Sequence, residues 1–160
     1  MKKFSNGIDQ KNIIEKFGPS RLYAFLKVGL LILLSIVTVV LAYTVFPPLI
    51  FGGILFAFLA WYRYMTILQI QYTLTLETLT VRTGLISRTY NNLELYRVKD
   101  YIVSQSATER IFNLMTVKLV TTDASSPELI LEGIELSNIT ETIRELVQKA
   151  RMKNNVYEIN

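Results

Sequence analysis

Five basic residues in the second half of the chain are the side chains best suited to bind an anion. They are Arg82, Arg88, Arg97, Lys99 and Arg110. If the fold brings them together, they form a site for a phosphate-bearing ligand, because guanidinium and ammonium groups donate charge-assisted hydrogen bonds to phosphate. Acidic residues are interspersed among them, so the alternative is ordinary solvated or ion-paired charges. We take the five as candidate contacts to a ligand or a protein partner.

Side chains for catalysis or metal binding are few. Glu128, Glu132 and Glu135 offer carboxylates for a metal ion, but the alternating strand pattern around them favours solvent-facing positions. Cys and His are both absent from the sequence. Thiol catalysis and zinc sites built from these residues are therefore excluded, and the commonest general acid and base is missing. We expect a non-enzymatic protein without a cofactor.

A long uncharged stretch lies between Lys27 and Arg63, in a chain with 51% hydrophobic and 19% charged residues. A helix needs about 20 predominantly apolar residues to cross a bilayer. The stretch is too long for one crossing and nearly long enough for two. The alternative is a buried hairpin of a soluble protein, but a domain this small could not cover such helices. The sequence therefore predicts a transmembrane helical hairpin.

Two adjacent prolines, Pro47 and Pro48, interrupt the stretch. The residue before a proline is disfavoured in a helix, whereas proline itself fits the first helical turn. We therefore predict helices over residues 22–46 and 48–68. The chain then divides into a basic N-terminal segment, the hairpin, a domain and a tail, over residues 1–21, 22–68, 69–151 and 152–160.

Basic residues flank both outer ends of the hairpin, and the turn between the helices has no charge. Because basic residues near helix ends stay on the cytoplasmic side, we expect a multi-pass protein of the cell (inner) membrane with both termini and the domain in the cytoplasm. The chain from residue 64 onward is nearly neutral, so the net charge of +4 comes from the basic residues around the hairpin and indicates the topology in the membrane. No nucleic-acid partner is expected.

Residues 69–151 read as a small β-rich domain. Apolar and polar residues alternate from Leu68 to Glu77, which is typical of a half-buried strand. Further strands are predicted near residues 79–82, 88–95, 98–105, 115–119 and 129–131. A short helix is predicted over 107–114, ending at Asn113. A last helix, capped by Asn138, gathers apolar residues on one face, to pack across the sheet or to lie on the membrane.

The order of these elements, with several short motifs, resembles the bacterial PH domain of the membrane-flanked family. The resemblance covers residues 72–150 and is carried by the segments 82–88, 95–100, 105–106, 109–117 and 121–122. Glu94 stands where the family usually has proline, and Asn113 where it usually has glycine. The resemblance implies an α+β or all-β PH-like domain. Its bent antiparallel sheet or partly open barrel would have about seven strands, capped by the C-terminal helix.

Small residues mark one face of the second predicted helix, namely Gly52, Gly53, Ala57 and Ala60. Such a face allows another helix to approach closely, although glycine is common in transmembrane helices anyway. The hairpin has no Asp, Glu, Lys or Arg side chain between Lys27 and Arg63, which argues against a solitary carrier or pump.

Three classes of function remain. We favour a membrane-anchored interaction module that binds a protein partner or assembles with copies of itself. The first alternative is a lipid or small-ligand sensor at the inner leaflet. The second is an accessory to an enzyme, or a weak enzyme, acting on membrane substrates.

Overall fold

The computed structural model describes residues 13–123 and 126–153. The first 12 residues, which hold part of the predicted basic segment, and the tail residues 154–160 lie outside the described residues, as do loop residues 124–125. The described part contains four α-helices and seven β-strands, and its first strand precedes the helical hairpin.

The hairpin consists of α1 (Arg21–Thr44) and α2 (Ile50–Leu68), joined by a turn with a short 3₁₀ helix at Pro47–Leu49. The first helix ends two residues before the predicted position, because Phe46 precedes Pro47 and is extended, with φ −148° and ψ 102°. The 3₁₀ turn contains the predicted start of the second helix, whose end at Leu68 is confirmed.

Both helical segments, Arg21–Thr44 and Pro47–Leu68, are long and apolar enough to cross a membrane. About 11% of the residues in the most apolar window of each segment are buried. A helix in the core of a soluble protein is mostly buried, so these two helices differ from core helices. They present leucine, isoleucine, valine and phenylalanine side chains outward along most of their length.

The two helices approach each other closely at Gly53. The Ser35 hydroxyl of α1 donates a hydrogen bond to the Gly53 carbonyl at 2.9 Å. A Cβ atom at position 53 would lie 2.6 Å from Val39 Cγ2, whereas one at Gly52 would meet nothing within 4 Å. Ala57 and Ala60 line a groove of about 330 Å³ between the helices. Of the four predicted small residues, Gly53 thus packs within the hairpin itself.

The first sheet has the strand order β1-β2-β3-β4, with every neighbouring pair antiparallel. Its strands are β1 (Ile13–Phe17), β2 (Gln71–Thr75), β3 (Thr78–Thr83) and β4 (Thr89–Glu94). The prediction that residues 13–17 belong to a separate basic N-terminal segment is wrong, because they pair with β2 and place Phe17 opposite Tyr72. The hairpin is therefore inserted between two neighbouring strands of one sheet.

The second sheet has the order β5-β6-β7, also antiparallel, and the two sheets do not join into a closed barrel. Its strands are β5 (Val98–Ser104), β6 (Leu114–Thr121) and β7 (Glu128–Glu135). Between β5 and β6 lies α3 (Ala107–Ile111), shorter than predicted. Asn113 follows it with φ 52°, the left-handed conformation expected there.

The last helix, α4 (Ile139–Lys153), closes the core of the domain. Its buried residues are Ile139, Ile143, Leu146, Val147 and Ala150, the face predicted from the sequence. They belong to the same core as Tyr72 and Leu74 of β2 and Val117 and Leu119 of β6. The helix therefore packs across the sheets, the first of the two alternatives that the sequence left open.

We expect Gly53→Val to destabilise the hairpin and Gly52→Val to have little effect. The valine at position 53 must displace Val39 and Thr38, and overpacking of this kind costs about 1–3 kcal/mol. Thermal unfolding of the full chain in detergent, followed through Trp61 fluorescence, measures the difference. Equal unfolding temperatures for the two variants would contradict the close approach at Gly53.

Candidate functional site

The five candidate basic residues lie at three separate places in the fold. Arg82 is in β3 and Arg88 in the turn that follows it. Arg97 directly precedes β5 and Lys99 lies at its start, whereas Arg110 is on α3, beyond the other end of that strand. β5 has seven residues, so its ends are roughly 20 Å apart at about 3.3 Å per residue. The five side chains therefore do not gather in one cleft.

Arg97 is held by its own neighbours. Its guanidinium forms an ion pair with Glu94 at 2.8 Å and a longer one with Asp123 at 3.5 Å. It also lies 5.6 Å from the centroid of the Tyr96 ring. These contacts hold the turn between β4 and β5, and they fit the ion-paired alternative better than a ligand site.

A different place joins the hairpin to the domain. The Ser20 N–H, just before α1, donates a hydrogen bond to the Gly133 carbonyl of β7 at 2.8 Å. The Tyr23 hydroxyl donates to Glu132 Oε2 at 2.6 Å, and the Tyr23 ring lies directly against Gly133. The first turn of α1 is therefore attached to β7 by backbone, side-chain and packing contacts. We call this attachment the junction.

Gly133 is required at the junction for two reasons. The pairing of β6 and β7 shifts here, so that Glu132 and Gly133 together stand opposite Thr116 alone, a β-bulge. Gly133 has φ 63°, a backbone conformation that residues other than glycine rarely adopt. A Cβ atom at this position would also overlap the Tyr23 ring. The glycine therefore permits both the bulge and the seat of the tyrosine.

A cleft of about 640 Å³ opens beside the junction. We call it the junction cleft. It is lined by residues of α1, of the segment from β5 to α3, of β6 and of β7. These residues are Tyr23, Leu26, Lys27, Ser104, Gln105, Ser106, Thr108, Glu109, Thr116 and Glu132. None of the five candidate basic residues is among them. The cleft thus brings together parts of the chain that are far apart in sequence.

Glu109 is a buried carboxylate that lines the junction cleft, with 8% of its surface exposed. Its carboxylate accepts hydrogen bonds from the Ser106 backbone N–H and hydroxyl, each at 2.8 Å, and from the Thr116 hydroxyl at 2.7 Å. Burial works against the charged form, but these hydrogen bonds, together with the positive charge of Lys27, outweigh it and hold the pKa of Glu109 below its ordinary value. Glu109 is therefore an anion at neutral pH.

Tyr72 makes a hydrogen bond with the backbone of Glu132. The Glu132 backbone N–H donates to the Tyr72 hydroxyl at 3.2 Å, which links β2 of the first sheet to β7 of the second. Burial raises the pKa of Tyr72 to about 12, so the phenol stays protonated at neutral pH. The second carboxylate oxygen of Glu132 has no protein partner among the residues that the structure describes.

Lys27 supplies the positive charge of the junction cleft. Its ammonium lies 5.2 Å from the centroid of the Tyr23 ring, and within the described ranges no carboxylate pairs with it. One ammonium and two carboxylates therefore face the same space. Such a site suits a ligand that carries charges of both signs. Over residues 13–123 and 126–153, no group of three or more Asp or Glu side chains is placed to hold a metal ion.

The sequence alone does not identify this site, although two features of it point there. An isolated glycine inside an alternating strand, as at Gly133, indicates a bulge or a close approach of another segment. Tyr23 and Lys27 are four residues apart, so they lie on one face of a helix. What the sequence could not supply was the partner of that face, since Tyr23 and Glu132 are 109 positions apart.

The sequence model described as Bacterial PH domain matches residues 22–151, from the start of α1 to α4. Among solved structures, the chain is similar to a crystal structure of a DUF1696 family protein with a pleckstrin-homology domain from Shewanella loihica PV-4. That similarity has a TM-score of 0.39 and 13% identity, and covers 52% of this chain and 71% of the other. No curated protein matches the sequence.

We expect Gly133→Ala to loosen the junction. Alanine in the left-handed conformation costs about 1–2 kcal/mol, and displacement of the Tyr23 ring adds to this. Thermal unfolding of the full chain in detergent should begin several degrees lower than in the wild type. Gly29→Ala is the control, since a Cβ there meets nothing within 4 Å. An unchanged unfolding temperature for Gly133→Ala would show that the tyrosine does not rest on the glycine.

Proposed function

The chain belongs to the bacterial PH domain family, and we propose that it is a non-enzymatic integral membrane protein. In this proposal the hairpin crosses the cell membrane twice and presents the PH-like domain at the cytoplasmic face. There the domain binds a protein partner or a second copy of the chain. The observation that carries the proposal is the pairing of two apolar, outward-facing helices with a domain that has an exposed apolar sheet edge.

Membrane insertion is supported by length, composition and exposure. α1 has 24 residues and the second segment 22, against the about 20 needed to span a bilayer. Their side chains face outward, with Leu30, Phe51 and Val40 among those mostly exposed. In water this surface would be a large apolar patch, whereas lipid tails would cover it without cost.

The proposed topology places the domain and both outer helix ends on one side. α1 begins at the junction, and α2 ends at Leu68, three residues before β2 begins at Gln71. The turn at Pro47 is therefore at the far end of the hairpin, about 36 Å from the domain at 1.5 Å per residue of a 24-residue helix. Lys27 and Arg63 lie toward the domain, and basic residues favour the cytoplasmic side.

The interaction surface that we propose is the edge strand β5. It lies at the end of the second sheet, and consecutive apolar side chains Tyr101, Ile102 and Val103 are 37%, 49% and 44% exposed. Tyr101 and Val103 pair with the core residues Leu119 and Val117 but remain open at the edge. Exposed apolar edges of this kind bind an added strand.

A role without catalysis is supported by the chemistry of the chain. The sequence has neither Cys nor His, and the buried Glu109 is engaged by Ser106 and Thr116. A general base must be within reach of a proton to be abstracted, and this carboxylate already has its hydrogen-bond donors. We propose no cofactor and no metal.

We expect Ile102→Lys to remove the proposed partner. The tagged full chain, purified gently from its native membranes, should run as a complex larger than the 18.4 kDa chain in its detergent micelle. A lysine in the added-strand interface should lower recovery of the second component about tenfold, because a buried unpaired charge costs more than 1.4 kcal/mol.

The matched control is Ile86→Lys, because Ile86 is 88% exposed in the turn between β3 and β4, away from β5. It should retain the complex. A monomer in the wild-type preparation, or equal losses for both variants, would contradict the proposed interaction surface.

A second function, that of a lipid or small-ligand sensor at the inner leaflet, is favoured by the junction cleft. The cleft combines charged and polar side chains next to the start of the apolar stretch of α1. It does not require the β5 edge, so the two functions can coexist in one molecule.

A further inference from the structure

The junction cleft lies where the chain changes from polar to apolar. Lys27 is the last charged residue before the uncharged stretch, and it lines the cleft together with Tyr23 from the same turn of α1. With α1 in a bilayer, as proposed above, this turn lies at the depth of the lipid head groups. Tyrosine and lysine are the residues that settle at that depth.

The same side of α1 continues into the membrane as an apolar track. From Tyr23 and Lys27, steps of three or four residues lead to Leu30, Leu33 and Leu34. Leu30 is 69% exposed and Leu33 56%, and Leu26 below them lines the cleft itself. A molecule held in the cleft can therefore extend apolar chains along these leucines. A water-soluble ligand without acyl chains would make no contact with these leucines.

The charges of the cleft suit a ligand that carries both signs. Glu109 and Glu132 repel a ligand that is only anionic, and a ligand that is only cationic offers Lys27 no counter-ion. A ligand with both charges satisfies Lys27, which has no ion pair among the described residues, and the open oxygen of Glu132. Ser104, Gln105 and Thr108 add hydrogen-bonding groups to the rim.

We propose that the junction cleft binds the head group of a zwitterionic phospholipid that carries a primary ammonium. The phosphate meets Lys27, the ammonium meets Glu132 in the field of Glu109, and the acyl chains follow Leu30 and Leu33. A primary ammonium is favoured over a trimethylated one because its N–H groups donate hydrogen bonds to a carboxylate. This inference rests on the proposed membrane insertion of α1.

The test is native mass spectrometry of the full chain, released from micelles that contain equal amounts of three dioleoyl phospholipids. Their head groups are ethanolamine, choline and glycerol. We expect the ethanolamine lipid to be retained about tenfold more than either of the others, the effect of one charge-assisted hydrogen bond of about 1.4 kcal/mol. Equal retention of the three lipids, or preference for the glycerol lipid, would overturn the proposal.

Lys27→Gln and Glu132→Gln should each lower retention of the ethanolamine lipid about tenfold, since each removes one charged contact. The matched controls are Arg63→Gln, at the outer end of the uncharged stretch but outside the cleft, and Glu135→Gln, exposed on the same strand as Glu132. The controls should retain the lipid as the wild type does. Losses in the controls equal to those in the cleft variants would overturn the assignment.

Two further measurements separate the possible failures. Extraction of the source membranes with alkaline carbonate comes first, and release of the chain into the supernatant would refute the membrane insertion itself. Retention in the pellet without lipid preference would refute the head-group site alone. Glycerophosphoethanolamine carries the same head group without acyl chains. If it displaced the lipid at equal concentration, the cleft would be a site for a soluble ligand and the lipid proposal would be wrong.

Discussion

The contact of Tyr23 with Gly133 is the constraint on which the arrangement of this chain depends. It requires a glycine in the left-handed conformation, a bulge that places two residues opposite Thr116, and a helix that begins at Arg21, directly after Ser20. Removal of any one of these would disrupt the packing of the Tyr23 ring against Gly133. At the other end of the hairpin, Leu68 is followed almost at once by β2. The hairpin therefore meets the domain at both of its outer ends, without a long linker at either.

The insertion of the hairpin between β1 and β2 further restrains its two outer ends. These strands are neighbours in one sheet, so the two chain segments that flank the hairpin are hydrogen-bonded to each other, with Phe17 and Tyr72 5.3 Å apart between ring centroids. A PH-like domain on a flexible tether would sample many distances from a membrane. Here, if the hairpin spans the bilayer, the domain stays at its surface, with the junction cleft at head-group depth and the apolar side chains of β5 exposed.

The sequence predicted the parts that depend on local patterns. The proline pair placed the break in the hairpin, and helical spacing identified the buried face of α4, because period and backbone restriction act over a few residues. β1 was not predicted, since Ile13-Ile14-Glu15-Lys16-Phe17 is short and does not alternate. The candidate basic residues proved to be dispersed, and the junction cleft was missed. Both depend on which distant segments meet, and one sequence does not carry that information.

Because the sequence contains no cysteine, single introduced cysteines can test directly whether the hairpin crosses the membrane. Single cysteines replace Val45, 73% exposed in the turn, and Ser87, exposed in the turn between β3 and β4. If the hairpin crosses the membrane with the domain in the cytoplasm, a membrane-impermeant maleimide should label Val45→Cys in intact cells and Ser87→Cys only after permeabilisation. Labelling of both positions in intact cells, or of Ser87→Cys and not Val45→Cys, would contradict it.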